Sequence, residues 1–344
     1  MFKEVEIERF RSIRYAHIEG FERVNLFFGK NNCGKSSLLE SLFLASGISN
    51  PLLPVNVNLM RGYQKVRPDD LKYDFYNLDA AGPIHIKTMD GEVRDLNISL
   101  FEQQPSSVSL VKDGADILSN VEENKYGLRF DFKINDVAYL SQLKFDSSKP
   151  DNASREVAEN YEESLRCTYL SPKYDFNTSI RGLKKVIQNK DENFIIEGLR
   201  IIEPKVNNFV FTDNEMLVDI GLRNRIPVNM MGDGARKIVS LLTAVYDCKD
   251  GILLIDEISN GFHYSVMRDL WRVLIDAAMR NNTQLFVTTH DIDSIKGLRD
   301  ATACRSDNSI AAFKLLRTVD DELKAFHYSL ESLDYSINQE IEIR

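Results

Sequence analysis

One stretch constrains the fold of this chain more than any other. It reads Gly29-Lys30-Asn31-Asn32-Cys33-Gly34-Lys35-Ser36, with an apolar run before it and helically spaced leucines after it. Because Gly29 and Gly34 can adopt backbone angles closed to other residues, successive N–H groups can point into one concavity. The order of strand, glycine loop and helix therefore predicts a phosphate-binding loop, rather than a turn that holds nothing.

Each position of such a loop has a chemical task. The loop backbone and the helix N-terminus hold phosphate oxygens, Lys35 reaches the β- and γ-phosphates, and the Ser36 hydroxyl is a ligand of Mg²⁺. We therefore predict ATP and Mg²⁺ as cofactors and count Lys35 among the catalytic residues. The predicted nucleotide-binding residues of the loop are Gly29, Asn31, Asn32, Cys33, Gly34, Lys35, Ser36 and Ser37.

Two carboxylates follow a second apolar run. Residues 252–255 are Ile-Leu-Leu-Ile, and Asp256 and Glu257 come directly after them. An uninterrupted apolar run predicts a strand that is buried on both faces. We assign Asp256 to the metal and Glu257 to the activation of the attacking water. A solvated acidic turn is the alternative, which the phosphate loop earlier in the chain disfavours.

A histidine ends the next predicted strand. A helical pattern over 264–279 connects the strand before Asp256 to residues 284–289, after which His290 follows. Strand, crossover helix and strand predict a parallel pair. Since ligands lie beyond the carboxyl ends of such strands, we expect His290 to contact the γ-phosphate and count it as catalytic.

Three weaker signals stay open between a functional and a structural interpretation. Gly232, Asp233 and Gly234 precede a helix and offer N–H groups for phosphate, although Asp-Gly turns are common. The Phe10 ring or the Arg11 guanidinium could stack on a nucleobase; alternatively Phe10 is core and Arg11 surface. The helical stretch 174–200 is basic around Lys184, which fits a solvated face or a nucleic-acid contact.

The remaining patterns describe an α/β protein. We predict a single ATPase domain over 1–344, with an N-terminal lobe at 1–145, a helical arm at 146–205 and a C-terminal lobe at 206–344. Alternating runs from Ile84 to Phe145, including Val108 and Leu110, predict an antiparallel region. Val210 and Phe211, then 217–220, predict a further strand pair.

Composition limits the setting of the protein. The sequence has no apolar run long enough to span a bilayer and no signal-peptide core at its start, so we expect no membrane partner. Its four cysteines, among them Cys304, lack a metal-ligand spacing, which favours reduced thiols and a cytoplasmic location. The net charge of -9 argues against a chain that coats nucleic acid indiscriminately.

These motifs together resemble the ABC-type ATPase heads of the AAA15/AAA21, OLD-like group, which is related more distantly to the SMC and RecF families. The matching stretches are Asn25–Glu40, Met231–Gly234, Leu254–Glu257, Asn260–His263 and Thr288–His290. The resemblance implies a P-loop NTPase with a mixed central sheet, an added antiparallel β region and a helical insertion. It also implies that Gly232–Gly234 act as a signature loop that completes the ATP site of a second subunit, with Asn260–His263 at that interface.

The resemblance further implies a homodimer or higher homo-oligomer joined through ATP, which controls a separate nuclease or toxin-like effector in anti-phage defence. A DNA-repair or DNA-end-binding ATPase of RecF/SMC type, with DNA as partner, and a slow ATP-binding scaffold are the alternatives. The chain departs from the family at Asp291 and has only Gln64 for a Q-loop glutamine. Too few residues follow His290 for a nuclease domain, and Asp320–Glu322 read as a solvated turn, so we expect no intrinsic nuclease.

Overall fold

The computed structural model describes residues 1–103, 125–146, 153–172, 180–212, 215–303 and 309–338. Several features predicted from the sequence lie outside these ranges: the Val108/Leu110 run, the beginning of the helical stretch at 174–179, and Cys304. The remaining cysteines, Cys33, Cys167 and Cys248, are free thiols.

Within the described residues, a mixed sheet of thirteen strands carries the fold. Its spatial order is β8-β7-β6-β5-β4-β1-β2-β16-β15-β3-β14-β13-β9, and β10-β11-β12 form a small separate sheet. The strands are β1 (Glu4–Phe10), β2 (Ile13–Glu19), β3 (Val24–Phe28), β4 (Ile84–Met89), β5 (Val93–Gln103), β6 (Lys125–Ile134), β7 (Val137–Asp146), β8 (Ala153–Glu156), β9 (Cys167–Leu170), β10 (Asn208–Thr212), β11 (Glu215–Asp219), β12 (Ile226–Pro227), β13 (Ile252–Ile255), β14 (Gln284–Thr289), β15 (Ile310–Arg317) and β16 (Glu322–Tyr328).

Helices cover the sheet and supply the connections between its strands. They are α1 (Lys35–Ser46), α2 (Leu53–Met60), α3 (Ile180–Gln188), α4 (Glu192–Arg200), α5 (Asp233–Asp247), α6 (Met267–Arg280), α7 (Ile292–Thr302) and α8 (Leu330–Asn338). Short 3-10 helices lie at Pro68–Asp74, Tyr76–Leu78, Val228–Met231 and Tyr264–Val266. In the part of the chain that the structure describes, no helix is both long enough and apolar enough to cross a membrane.

Parallel pairing brings the strand ends of interest to one edge of the sheet. β15, β3, β14, β13 and β9 pair in parallel in that order, so their carboxyl ends lie on the same side. The predicted parallel pairing of β13 with β14 is confirmed. Loops that follow β3, β13 and β14 therefore meet beyond this edge, which is where open α/β sheets bind ligands.

The predicted antiparallel region is confirmed and is continuous with this sheet. β4 to β8 pair as an antiparallel series, and β4 also pairs with β1. Backbone hydrogen bonds therefore make the added antiparallel region the second half of one sheet.

Alternating side chains of the central strands divide the interior into two cores. Along β3, Val24, Leu26 and Phe28 face the helices α3 to α7, whereas Phe27 faces the side of α1 and the antiparallel strands. The same alternation holds in β13 and β14. Burial on both faces explains why these strands read as continuous apolar runs in the sequence.

The stretch with the helical pattern, 174–200, contains two helices among its described residues, α3 and α4. The backbone turns between them, with Lys190 at φ 59°. The predicted strand pair after the arm is confirmed as β10 and β11. The crossover helix begins with a 3-10 turn and becomes α-helical at Met267.

Candidate nucleotide site

The glycine loop joins β3 to α1 in the conformation that its sequence requires. A Cβ atom at Gly29 would lie 2.5 Å from the carbonyl oxygen of Leu315, so only glycine fits there. Gly34 is the N-cap of α1 at φ 106°, in the left-handed region. Lys35 is buried, and its Nζ donates to the carbonyl oxygens of Gly29 and Lys30, both at 3.1 Å. The ammonium group is thus held at the mouth of the loop, where an anion could replace the carbonyls.

Asp256 is fixed by hydroxyl groups from two neighbouring strands. Thr288 Oγ1, at the end of β14, donates to Asp256 Oδ1 at 2.6 Å, and the Tyr169 hydroxyl, from β9, donates to Oδ2 at 3.2 Å. Burial raises the pKa of the Tyr169 hydroxyl, so that it stays a donor. Asp256 is itself buried, and both of its oxygens are oriented before any ligand arrives.

Glu257 lies between the lysine and the histidine predicted from the sequence. Its Oε1 is 3.8 Å from Lys35 Nζ, and its Oε2 accepts a hydrogen bond from His290 Nδ1 at 2.6 Å. The residue has φ 54°, a left-handed conformation that costs a residue with a side chain about 1–2 kcal/mol. Strain of this kind persists only where surrounding contacts over-determine it.

Two neighbours supply those contacts to the Glu257 backbone. Thr288 Oγ1 accepts a hydrogen bond from Glu257 N at 2.9 Å. On the other side, Lys237 Nζ of α5 donates to the carbonyl oxygens of Glu257, Ile258 and Asn260 at 3.2, 3.3 and 2.5 Å. Burial lowers the pKa of Lys237 to about 8, against the opposing charges of Glu257 and Asp256.

The predicted metal ligands line one small cavity. Ser36 and Asp256 both border a space of about 200 Å³, together with Glu40 and Tyr169. A hydroxyl and carboxylates are the hard oxygen donors that Mg²⁺ prefers. The residues therefore fit a magnesium ion that Ser36 and Asp256 would hold.

A larger cleft of about 530 Å³ opens over the phosphate loop. Of the predicted residues, Arg11, Asn31, Asn32, Gly34, Lys35, Ser36, Ser37 and Glu257 line it. Gly29 and Cys33 do not; Cys33 is buried, and burial raises the pKa of its thiol. A wall of residues from Tyr73 to Leu78 also lines it, through Tyr73, Phe75, Asn77 and Leu78.

The structure confirms Phe10 as a core residue and places Arg11 in the interior rather than on the surface. Phe10 belongs to the core and is not available to a nucleobase. Arg11 lines the cleft, but its guanidinium is 91% buried and lies 3.2 Å from Glu40 and 2.8 Å from Asp74. Glu40 also accepts two hydrogen bonds from Arg61. Arg11 is thus a buried cation, not a surface residue, and its guanidinium also lies over the Phe10 ring, 5.5 Å from the ring centroid.

The signature-like loop does not meet the phosphate loop of the same chain. Gly232 and Asp233 are exposed, and none of Gly232, Asp233 and Gly234 lines the cleft. A Cβ atom at Gly234 would lie 3.4 Å from the Gly261 carbonyl, so the start of α5 packs against the 260–263 loop. Gln64 also lies outside the cleft lining and is exposed.

The basic helix is largely occupied by contacts within the chain. Lys185 Nζ is 2.5 Å from Asp247, Arg181 is 3.5 Å from the same carboxylate, and Lys184 lies over the Phe211 ring at 5.9 Å. This arrangement agrees with the interpretation of α3 as a structural helix face.

Sequence reasoning missed residues whose importance depends on contacts made across the fold. Thr288 belongs to a stretch quoted for the resemblance but was given no role, while Tyr169, Lys237 and Arg61 carried no signal at all. The wall from Tyr73 to Leu78 was also missed. A search for hydroxyl residues at the ends of strands next to the Asp256 strand could have found Thr288.

Comparisons with known proteins agree with this geometry. Residues 1–74 match a family model described as "AAA ATPase domain", and residues 168–295 match one described as "AAA domain, putative AbiEii toxin, Type IV TA system". The first range contains the phosphate loop, and the second contains Asp256, Glu257 and His290.

A relative and a solved structure extend the similarity over most of the chain. A Helicobacter pylori (strain ATCC 700392 / 26695) protein named "ATP/GTP phosphatase" is 24% identical over 328 residues, which cover 86% of this chain and 87% of the relative. The "Crystal structure of the SmcHead bound to the C-winged helix domain of ScpA" aligns with a TM-score of 0.51 and 12% identity, covering 97% of this chain and 99% of the other. The fold is thus that of a P-loop NTPase of the ABC/SMC-head type.

Proposed function

We propose that this chain, an ATPase with an ABC/SMC-type head, hydrolyses ATP with Mg²⁺ and passes its nucleotide state to a partner through an ATP-bridged homodimer. The convergence of Lys35, Glu257 and His290 at one strand edge carries the proposal. These residues come from three separate segments, and Glu257 lies between the other two, 3.8 Å from Lys35 Nζ and 2.6 Å from His290 Nδ1. A merely structural role would not need a glutamate with a strained backbone between a buried lysine and an exposed histidine.

The chain's own residues supply the steps of hydrolysis. Lys35 leaves the loop carbonyls and binds phosphate oxygens, and Glu257 orients a water molecule and takes its proton. His290 holds the carboxylate of Glu257 and can turn to a phosphate when nucleotide enters. A bound Mg²⁺, held by Ser36 and Asp256, would neutralise charge on the phosphates.

Replacement of Glu257 by glutamine tests the assignment. The variant keeps the size of the side chain and one oxygen that can accept from His290, but it loses the charge and cannot accept a proton. We expect ATP affinity within about threefold of wild type and turnover lowered by about 10²-fold or more, the usual contribution of a general base. The measurements are phosphate release and calorimetric ATP binding, with the exposed Glu159→Gln as the control. Wild-type turnover in Glu257→Gln would show that another group activates the water.

Single-turnover hydrolysis separates an enzyme from a slow scaffold. With protein in excess over ATP, a working ATPase converts the bound nucleotide on the timescale of its steady-state cycle. A chain that retains intact ATP for hours would instead favour the scaffold alternative.

The dimer is supported by the position of the signature-like loop, Gly232–Gly234, relative to the cleft. Gly232–Gly234 do not line the cleft of their own chain, and Gly232 and Asp233 are exposed. Met230, two residues before Gly232, and Tyr264, which follows the 260–263 loop, are 78% and 64% exposed. We infer that this surface faces the ATP of a second copy. Light scattering should show a dimer when Glu257→Gln is saturated with ATP and a monomer for Lys35→Ala under the same conditions. A monomeric Glu257→Gln with ATP bound would refute the dimer.

The partner is inferred to be a separate nuclease or toxin-like effector in bacterial anti-phage defence. The family description that names a putative AbiEii toxin and a type IV TA system supports this setting. An effector that associates with Glu257→Gln in ATP, and not with Lys35→Ala, is the expected result. Salt-dependent DNA binding that weakens on replacement of Lys184 and Lys185 would instead favour the DNA-end-binding alternative.

A further inference from the structure

We propose that the segment Tyr73–Leu78 is the nucleobase subsite of the cleft and that it accepts a purine ring against Tyr73 and Leu78. The inference rests on the proposed function, since it names the part of the site that would recognise the base. Asn77 and Leu78 lie beyond residues 1–74 and outside 168–295, so neither family match covers them.

The shape of the cleft gives the first argument. Its volume of about 530 Å³ lies within the ~300–1,000 Å³ range of small-molecule sites. Lys35 and Ser36 mark the end that takes phosphates, which leaves the Tyr73–Leu78 wall for the remaining parts of a nucleotide. The Phe10 ring cannot serve as the base platform because it is 1% exposed.

The chemistry of the wall gives the second argument. Tyr73 is 43% exposed and Leu78 is 54% exposed, although both are large and line a concave surface. An aromatic ring and a branched aliphatic chain are the groups on which a flat base packs. Asn77, between these two residues in the sequence, also lines the cleft and brings a polar group to it.

The backbone of the wall is strained and held in place from outside. Asn77 and Leu78 have φ 53° and 59°, and the left-handed region is unusual for a leucine. The segment is anchored by the Tyr76 hydroxyl, which donates to Asp321 Oδ2 at 2.7 Å, and by Arg9, which donates to Asp79 Oδ2 at 2.9 Å. These contacts keep the Leu78 side chain at the cleft, where free relaxation of the turn would turn it away.

The wall also predicts weak discrimination between purines. Among the residues that line the cleft, the carboxylate is Glu257, which lies at the phosphate end. A guanine base presents adjacent N–H donors that a carboxylate would select, and the base end offers no such group. We therefore expect ATP and GTP to bind within about tenfold of each other.

The test compares ATP with inorganic tripolyphosphate, which has the phosphates and lacks the base. Leu78→Asn removes the apolar surface but favours the left-handed backbone, so the fold is preserved. We expect it to weaken ATP and GTP binding about tenfold in calorimetry and to leave tripolyphosphate binding within twofold of wild type. Tyr73→Ala should act in the same way, and Leu222→Asn, at a leucine that is 60% exposed and outside the cleft, is the matched control.

The outcomes separate the subsite from the proposed function. An unchanged ATP affinity in both Leu78→Asn and Tyr73→Ala would overturn the subsite alone. An equal loss for ATP and tripolyphosphate would also overturn it, because the damage would then lie at the phosphate loop. A wild-type protein that binds none of the three triphosphates would overturn the proposed function itself.

Discussion

Replacement of Lys237 by methionine should lower turnover without weakening ATP binding. The change removes an ammonium group that donates to three carbonyl oxygens, including that of Glu257, while it keeps the length of the side chain. Without this clamp Glu257 can leave its φ of 54°, a conformation that stores about 1–2 kcal/mol. Since 1.36 kcal/mol is a factor of ten in rate, we expect kcat to fall about five- to thirtyfold.

The KM for ATP should stay within about twofold, because Lys237 does not line the cleft. Steady-state phosphate release gives both constants, and Lys249→Met, at an exposed lysine, controls for the loss of a positive charge. Lys237→Arg, which keeps charge and donors, should recover part of kcat. A purely structural role would lower the melting temperature of both Lys237 variants equally and would not separate their kcat values.

The pH profile gives an independent readout of the same clamp. Burial lowers the pKa of Lys237 to about 8, and the facing carboxylates of Asp256 and Glu257 oppose that shift. Below this pH the ammonium has three donors for three carbonyls, and above it the neutral amine has two. Wild-type kcat should therefore decline as pH rises through 8, and Lys237→Met should lack that decline. A variant with wild-type kcat, or with raised KM alone, would refute the reasoning.

Two further predictions concern the surroundings of the site. Thr288→Val leaves Asp256 Oδ1 and Glu257 N without their hydrogen-bond partner. It should lower kcat about tenfold and raise the Mg²⁺ concentration that gives half-maximal activity in a metal titration. Thr288→Ser should keep both quantities near wild type. Asp74→Asn should change the pH dependence of stability: burial raises the pKa of Asp74 from 3.8 to about 6, so its stabilising contribution is complete below 3.8 and is lost as pH rises through 6. Denaturant unfolding should show wild type losing about 2 kcal/mol relative to Asp74→Asn between pH 4 and 7; a constant difference would contradict the assignment.

The central strands and the phosphate loop could be predicted because their signals are local. The apolar run before Asp256 and the glycines at positions 29 and 34 each fall within a few consecutive residues. Because β13 and β14 are buried on both faces, their sequences contain apolar runs that are visible without the structure. The parallel pairing of these strands then follows from the helical crossover that connects them.

Strands contributed by distant parts of the chain could not be predicted in this way. β15 and β16 enter the sheet between β2 and β3, although almost three hundred residues separate them in the chain. Apolar and polar residues alternate only weakly in β15 and β16, and their sequences do not indicate which strands they pair with. The Asp320–Glu322 turn, interpreted as solvated, also accepts hydrogen bonds from the Tyr76 hydroxyl and from the Arg14 and Arg317 guanidiniums, which its sequence does not indicate.

The buried ion network shows why the role of Arg11 escaped sequence reasoning. Its partners Glu40 and Asp74 lie on α1 and at the end of a 3-10 helix, and each alone resembles an ordinary surface carboxylate. Only folding places all of them below 10% exposure, where an unpaired charge would be expensive. Pairing of this kind depends on three-dimensional proximity, which composition and periodicity do not encode.

The contact of Lys237 with the Glu257 loop links the proposed dimer to the chemistry. α5 begins at the signature-like loop and carries Lys237 within its first turns. If the nucleotide of a second copy contacts Gly232–Gly234, any displacement of the helix start moves the ammonium that holds Glu257 in its strained conformation. Small shifts of this size matter because a hydrogen bond weakens steeply with misalignment. The loss of Lys237 should therefore reduce the stimulation of hydrolysis by dimer formation more than it reduces dimer formation itself.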